Sequence, residues 1–137
     1  MSYISAFNSS EDKKRNLASK IYDISESVTK FFWDDAPRLG IQQREGQQDM
    51  AFDVLDAIKS GSHVVIEAGV GIGKSFAYLV PILLYNAKTF SPVVIATSTI
   101  ALQEQLLSDM ELLKKWLRLD PDLILAKGKN HIFVSKM

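Results

Sequence analysis

The sequence predicts an α/β fold: a parallel sheet with flanking helices, preceded by a helical leader. Three observations carry this. Short, largely apolar runs at 63–68 (HVVIEA), 92–96 (PVVIA) and 122–126 (DLILA) read as strands buried on both faces. Stretches of helical period separate them, the pattern of strands joined by right-handed crossovers. A glycine-rich turn joins the first run directly to the helix behind it.

Residues 1–33 form the leader. Ser9, with Asp12 three residues on, offers an N-cap. Leu17, Ile21, Ile24, Val28 and Phe31 then alternate steps of four and three, which is one stripe of a helix. The stripe either packs on the domain behind it or binds a partner. Residues 34–40 form a connector marked by Pro37 and Gly40. A second helix starts near Glu45, carries Met50, Ala51, Val54, Leu55 and Ile58 on one face, and closes at Ser60-Gly61. After the first strand, Gly73–Ala87 reads as a helix kinked at Pro81. Ile100–Leu117 is strongly amphipathic, with Leu102, Leu106, Met110, Leu113 and Leu117 on one side.

Composition narrows the function classes. Of 137 residues, 47% are hydrophobic, and 16 basic side chains balance 16 acidic ones. This composition excludes a disordered, collagen-like or coiled-coil chain. There is no cysteine, so the chain itself supplies neither disulfides nor thiolate metal ligands. The amino terminus has no apolar signal core. The longest near-apolar run, Phe76 to Tyr85, is about half of what a membrane span requires. A cytoplasmic protein without a membrane partner is the expectation.

The segment Glu67-Ala68-Gly69-Val70-Gly71-Ile72-Gly73-Lys74-Ser75 lies between a predicted strand and a predicted helix, the context of a phosphate-binding loop. Glycines at 69, 71 and 73 let successive N–H groups turn toward phosphate oxygens. The following helix aims its positive dipole end at the same place. Lys74 reaches the β- and γ-phosphates as a mobile charge, and the Ser75 hydroxyl is suited to ligate Mg²⁺. The strict pattern starts with glycine where Ala68 stands, a residue small enough to keep the loop. Gly-Lys-Ser favours a triphosphate over a dinucleotide.

Three blocks together resemble the DinG-like, XPD-related group of superfamily-two helicases. Arg44-Glu45-Gly46-Gln47-Gln48-Asp49-Met50 is similar to its Q-motif, residues 67–81 (EAGVGIGKSFAYLVP) to its extended motif I, and residues 93–107 (VVIATSTIALQEQLL) to its motif Ia. The resemblance implies a partial RecA-like P-loop NTPase domain over 41–137, with ATP and Mg²⁺ bound by Arg44, Gln47 and Ala68 through Phe76. Gln47 would read the adenine edge through its amide; otherwise it is a solvent-facing helix residue. Lys74 and Ser75 would be the catalytic pair. Thr97, Ser98 and Thr99 sit at a strand end leading into a helix, where hydroxyls and N–H groups suit the phosphates of single-stranded DNA. Ser98 or Thr99 could equally cap the helix. Gln103 is a further candidate contact, or only part of a polar helix face. From Lys114 on, six basic residues face two acidic ones, which fits a nucleic-acid backbone or a solvated helix.

The sequence also departs from that group. No DEAH-type Walker B box follows motif Ia, and the acidic pair Asp34-Asp35 precedes the loop. The position of the group's first cluster cysteine corresponds to Val134, so no iron–sulfur cluster is expected. The expectation is the ATP-binding portion of an ATP-dependent DNA helicase, an amino-terminal piece truncated before Walker B and inactive in hydrolysis alone. The rival is a non-enzymatic nucleotide-binding or regulatory module acting through its leader helix. Oligomeric state is left open.

Overall fold

The computed structural model describes residues 2–69, 73–126 and 131–136, with side chains over 10–69 and 73–125. Helix α1 (Ser2–Lys30) passes into one widened turn of π geometry, Phe31–Asp35, and a short α2 (Ala36–Arg38). Helices α3 (Gln47–Ser60), α4 (Lys74–Thr89) and α5 (Ile100–Leu117) follow, with strands β1 (Val93–Thr97), β2 (Asp122–Ala126) and β3 (His131–Lys136).

The first helix begins at Ser2, so Ser9 lies inside it and is not its cap. Residues 2–36 contain no glycine or proline, and nothing stops the helix from extending past that signal. It also continues beyond the expected connector start at 34, as far as Arg38. The apolar stripe is buried from Ile21 onward: Ile24, Val28 and Phe31 are 0–1% exposed, whereas Leu17 remains half exposed. Each such buried apolar side chain contributes about 1.5–3 kcal/mol. Their packing partner is α4, which is apolar around most of its circumference and buries Ala77, Leu79, Val80, Leu83 and Leu84.

Helix α3 packs on α4 through Ala51 and Leu55, and α5 through Leu106, Met110 and Leu113. The core is therefore helix on helix, and the sheet adds the half-buried Ile95 and Leu123 to its rim. The close of α3 follows the sequence expectation. Gly61 takes φ +63°, and its N–H bonds back to the carbonyls of Ala57 and Ile58, an ending that suits glycine.

The sheet differs from expectation. Its order is β1-β3-β2, and β3 runs antiparallel to both neighbours, pairing Thr97 with His131 and Ala126 with Ile132. Only residues 127–130 separate β2 from β3. A connection that short serves an antiparallel pair, whereas a parallel pair needs a crossover of a dozen residues or more. β1 and β2 do run in the same direction, but with β3 between them. The run at 63–68 is not in a strand, and Val65 is 98% exposed.

Candidate functional site

The chain between α2 and α3 is tied back to the leader. The Ile41 N–H donates to the Ala36 carbonyl at 2.9 Å, and Gln43 Nε2 donates to the Phe32 carbonyl at 3.0 Å. This fixes the entry of α3, whose first residue, Gln47, is only 4% exposed. The side chain of Gln47 crosses to the start of α4, where its Nε2 donates to the Gly73 carbonyl at 3.1 Å. Gly73 has φ +73°, and a Cβ there would run into the Gln47 amide. Backbone conformation and side-chain contact therefore both require glycine at this position.

Around this bond opens a cleft of about 960 Å³. Arg44 and Gln47 line one side, Gly73, Lys74, Ser75 and Phe76 the floor, and Tyr78, Leu102, Gln105 and Asp109 the far wall. No side chain caps α4, and its first intrahelical bond is from the Ala77 N–H to the Gly73 carbonyl. The N–H groups of Lys74, Ser75 and Phe76 thus sit in the first turn, where an α-helix leaves its amides for an outside acceptor. Lys74 is exposed beside them. A helix N-terminus with a lysine and a serine hydroxyl in one open cleft fits the phosphates of a nucleotide and a metal ion bound with them. Among the described residues, no cluster of three or more acidic or histidine side chains would hold a metal by itself.

Sequence reasoning missed two members of the far wall, Tyr78 and Asp109. Burial raises the Tyr78 phenol above its ordinary value; the Ser75 hydroxyl partly offsets this, and Asp109 adds to it. Burial likewise raises the Asp109 carboxyl, again offset in part by the Ser75 hydroxyl. Ser75, Tyr78 and Asp109 line the same cleft. The signal for Asp109 is its spacing: Leu102, Gln105 and Asp109 stand three and four apart, a stripe of α5 beside the buried Leu106–Met110–Leu113 row.

A second cavity, about 370 Å³, shares Ser75, Tyr78, Leu102 and Gln105 with the cleft and adds Thr97 and Ser98 at the end of β1. Thr99 caps α5, its Oγ1 accepting from the Leu102 N–H at 3.2 Å. The Thr97 hydroxyl donates to the Thr99 carbonyl at 3.1 Å. Gln103 is 4% exposed and faces the core, whereas Gln105 reaches both cavities. Of the loop itself, Ala68 and Gly69 are not among the cleft residues, and Val70, Gly71 and Ile72 lie outside the described residues. Lys127–Asn130 lie outside them as well, as does the side chain of Val134.

A glycine loop ending in Gly-Lys-Ser at a helix N-terminus defines the P-loop class of nucleotide-binding proteins. Within that class, the chain belongs to the DEAD/DEAH box helicase family, whose profile matches residues 46–132. Membership carries a RecA-like P-loop fold. The chain is 38% identical over 120 residues to "ATP-dependent helicase DinG" of Mycobacterium tuberculosis, covering 83% of this chain and 18% of that protein. It is 41% identical over 93 residues to "ATP-dependent DNA helicase YoaA" of Escherichia coli, covering 67% and 14%. To "3'-5' exonuclease DinG" of Bacillus subtilis it is 36% identical over 93 residues, covering 67% and 10%. The chain thus spans less than a fifth of the length of these relatives. No solved structure matches it significantly.

Proposed function

We propose that this chain is the ATP-binding portion of an ATP-dependent DNA helicase, in which nucleotide hydrolysis is coupled to unwinding by the whole protein. The observation that carries the reading is the Gln47–Gly73 bond, which joins the Q-motif helix to the phosphate end of α4 around an open cleft. Lys74 would hold the β- and γ-phosphates and Ser75 the Mg²⁺ bound with them, while Arg44, Phe76 and the loop from Ala68 complete the site. Gln47 spends one amide N–H on Gly73. A second N–H and the carbonyl oxygen remain suited to a purine edge.

Thr97, Ser98 and the capped α5 N-terminus would take the phosphates of single-stranded DNA, with Gln105 rather than the buried Gln103 at that surface. The division into leader (1–33), connector (34–40) and ATP-binding domain (41–137) belongs to the same reading. So does a parallel sheet in which 63–68 pairs once its neighbours are present; the exposed, unpaired Val65 supports this. The chain contributes no thiolate to an iron–sulfur cluster. No described helix is long and apolar enough to cross a membrane, and a cytoplasmic setting is proposed.

The test is titration of a fluorescent ATP analogue with Mg²⁺ into the chain and into Lys74→Ala. Charge-assisted hydrogen bonds contribute about 1.5–3 kcal/mol. The variant should therefore bind on the order of 10- to 100-fold more weakly. Equal binding by both would remove Lys74, and with it the phosphate site, from the account.

A further inference from the structure

We propose that the groove between the leader helix and the far end of α4 is a second contact for single-stranded DNA: Lys13 and Lys20 hold backbone phosphates, and Phe90 beside it offers a face on which a base stacks. The groove shares no residue with the nucleotide cleft or with the Thr97–Ser98 surface, and the assignment rests on the reading of the chain as part of a DNA helicase. It measures about 390 Å³. Lys13, Asn16 and Lys20 form its α1 wall, and Tyr85, Thr89 and Ser91 face them. Steps of three and four put the first three on one side of α1, with the two ammonium-bearing residues about 10 Å apart along the axis. Leu17, the one member of the leader's apolar stripe left half exposed, lies in the same groove. Thr89 stands about 22 Å along α4 from Lys74.

Charge selects the occupant. Residues 13–20 (KKRNLASK) hold four basic side chains and no acidic one, in a chain whose net charge is zero. Glu11 and Asp12 precede this stretch and do not line the groove. Among the described residues, the ion pairs involve Lys30 and Lys114, not Lys13 or Lys20. The opposite rim is held in place: the Thr89 hydroxyl donates to the Tyr85 carbonyl at 2.8 Å and accepts from the Ser91 N–H at 3.3 Å, while Asn86 Nδ2 donates to the Ser91 carbonyl at 2.8 Å. Between Thr89 and Ser91, Phe90 closes α4 with φ +58° and is 66% exposed. A left-handed backbone suits glycine and is disfavoured for a residue with a Cβ. Neither backbone preference nor burial accounts for a phenylalanine there. A cationic track with an exposed ring beside it is how proteins hold single strands without reading their sequence.

The experiment titrates a fluorescent oligothymidine strand, and an abasic strand of the same length, into the chain over a range of salt concentrations. The variants are Lys13→Gln/Lys20→Gln, Phe90→Ala and, as a comparison, Thr97→Ala/Ser98→Ala. Each phosphate contact on a single strand adds about 0.7 to the slope of log affinity against log salt, so the lysine pair should flatten it by about 1.4. Phe90→Ala should weaken oligothymidine binding about 5- to 150-fold, the loss of one stacked base, and leave the abasic strand unaffected. All these side chains are exposed or half-buried, and binding of a fluorescent ATP analogue checks that the fold is kept. An unchanged slope for the lysine pair would overturn the groove, and a Phe90→Ala loss that persists on the abasic strand would overturn the stacking role. Weaker binding of the lysine pair to phosphatidylserine vesicles, with oligothymidine binding unchanged, would assign the groove to a membrane surface instead. In each of these cases a loss in Thr97→Ala/Ser98→Ala would leave the helicase reading standing. A wild-type chain that binds neither strand would overturn both DNA contacts together.

Discussion

Gly73→Ala should lower the stability of the chain by about 2–3 kcal/mol and weaken nucleotide binding with it. A left-handed backbone costs a non-glycine residue roughly 1–2 kcal/mol, and φ at this position is +73°. The new Cβ also meets the Gln47 amide, which must leave a buried place and give up its bond to the Gly73 carbonyl, at about 1 kcal/mol more. Gly61→Ala is the control. Its φ is +63° and nothing lies within 4 Å of an added Cβ, so it bears the backbone cost alone. Urea melts of the two variants should differ by about 1 kcal/mol, and only Gly73→Ala should lose affinity for an ATP analogue. If the two variants behave alike in both measurements, Gln47 does not buttress the loop end.

The second large effect concerns the leader. Phe31→Ala should cost about 3–5 kcal/mol, the usual loss for a buried aromatic truncated to alanine. Phe31 is 1% exposed and meets Phe32 edge to face, with centroids 5.2 Å apart. Small domains are stable by only about 5–15 kcal/mol, so the urea midpoint should fall sharply. Tyr22→Ala on the outer face, where the ring is 63% exposed, should stay within about 0.5 kcal/mol. A loss below about 1 kcal/mol for Phe31→Ala would mean that the leader is not part of the core.

Much of this arrangement is legible in the sequence, wherever local pattern and tertiary packing agree. Ile100–Leu117 is long and strongly periodic, and its helix begins and ends there. Gly61 ends α3 because a glycine after a helical stripe has one dominant use. The extent of α1 was not legible from its cap, since Ser9 is one weak signal in a stretch that nothing interrupts. The stretch 131–136 gave no sign of standing between β1 and β2, because strand order is set by pairing over distance and not by any one run.

The site divides in the same way. Lys74, Ser75, Arg44 and Gln47 are motif positions, and all four line one cleft. The partner of Gln47 stands 26 residues away and could not be read from spacing. Asp109 looked like any acid on a solvated helix face until α5 was set against α4. Gln103 illustrates the converse: two residues along the same helix turn a glutamine from the cavity to the core.

The measurement that bears most directly on the central claim is amide hydrogen exchange of the chain with and without Mg²⁺ and ATP. If the nucleotide sits at the start of α4 against the Q-motif helix, exchange should slow at the amides of Lys74 to Ala77 and at the first turn of α3 around Gln47, and little elsewhere. Unchanged exchange at both helix starts, or slowing confined to other parts of the chain, would contradict a nucleotide site built on Gly73, Lys74 and Ser75.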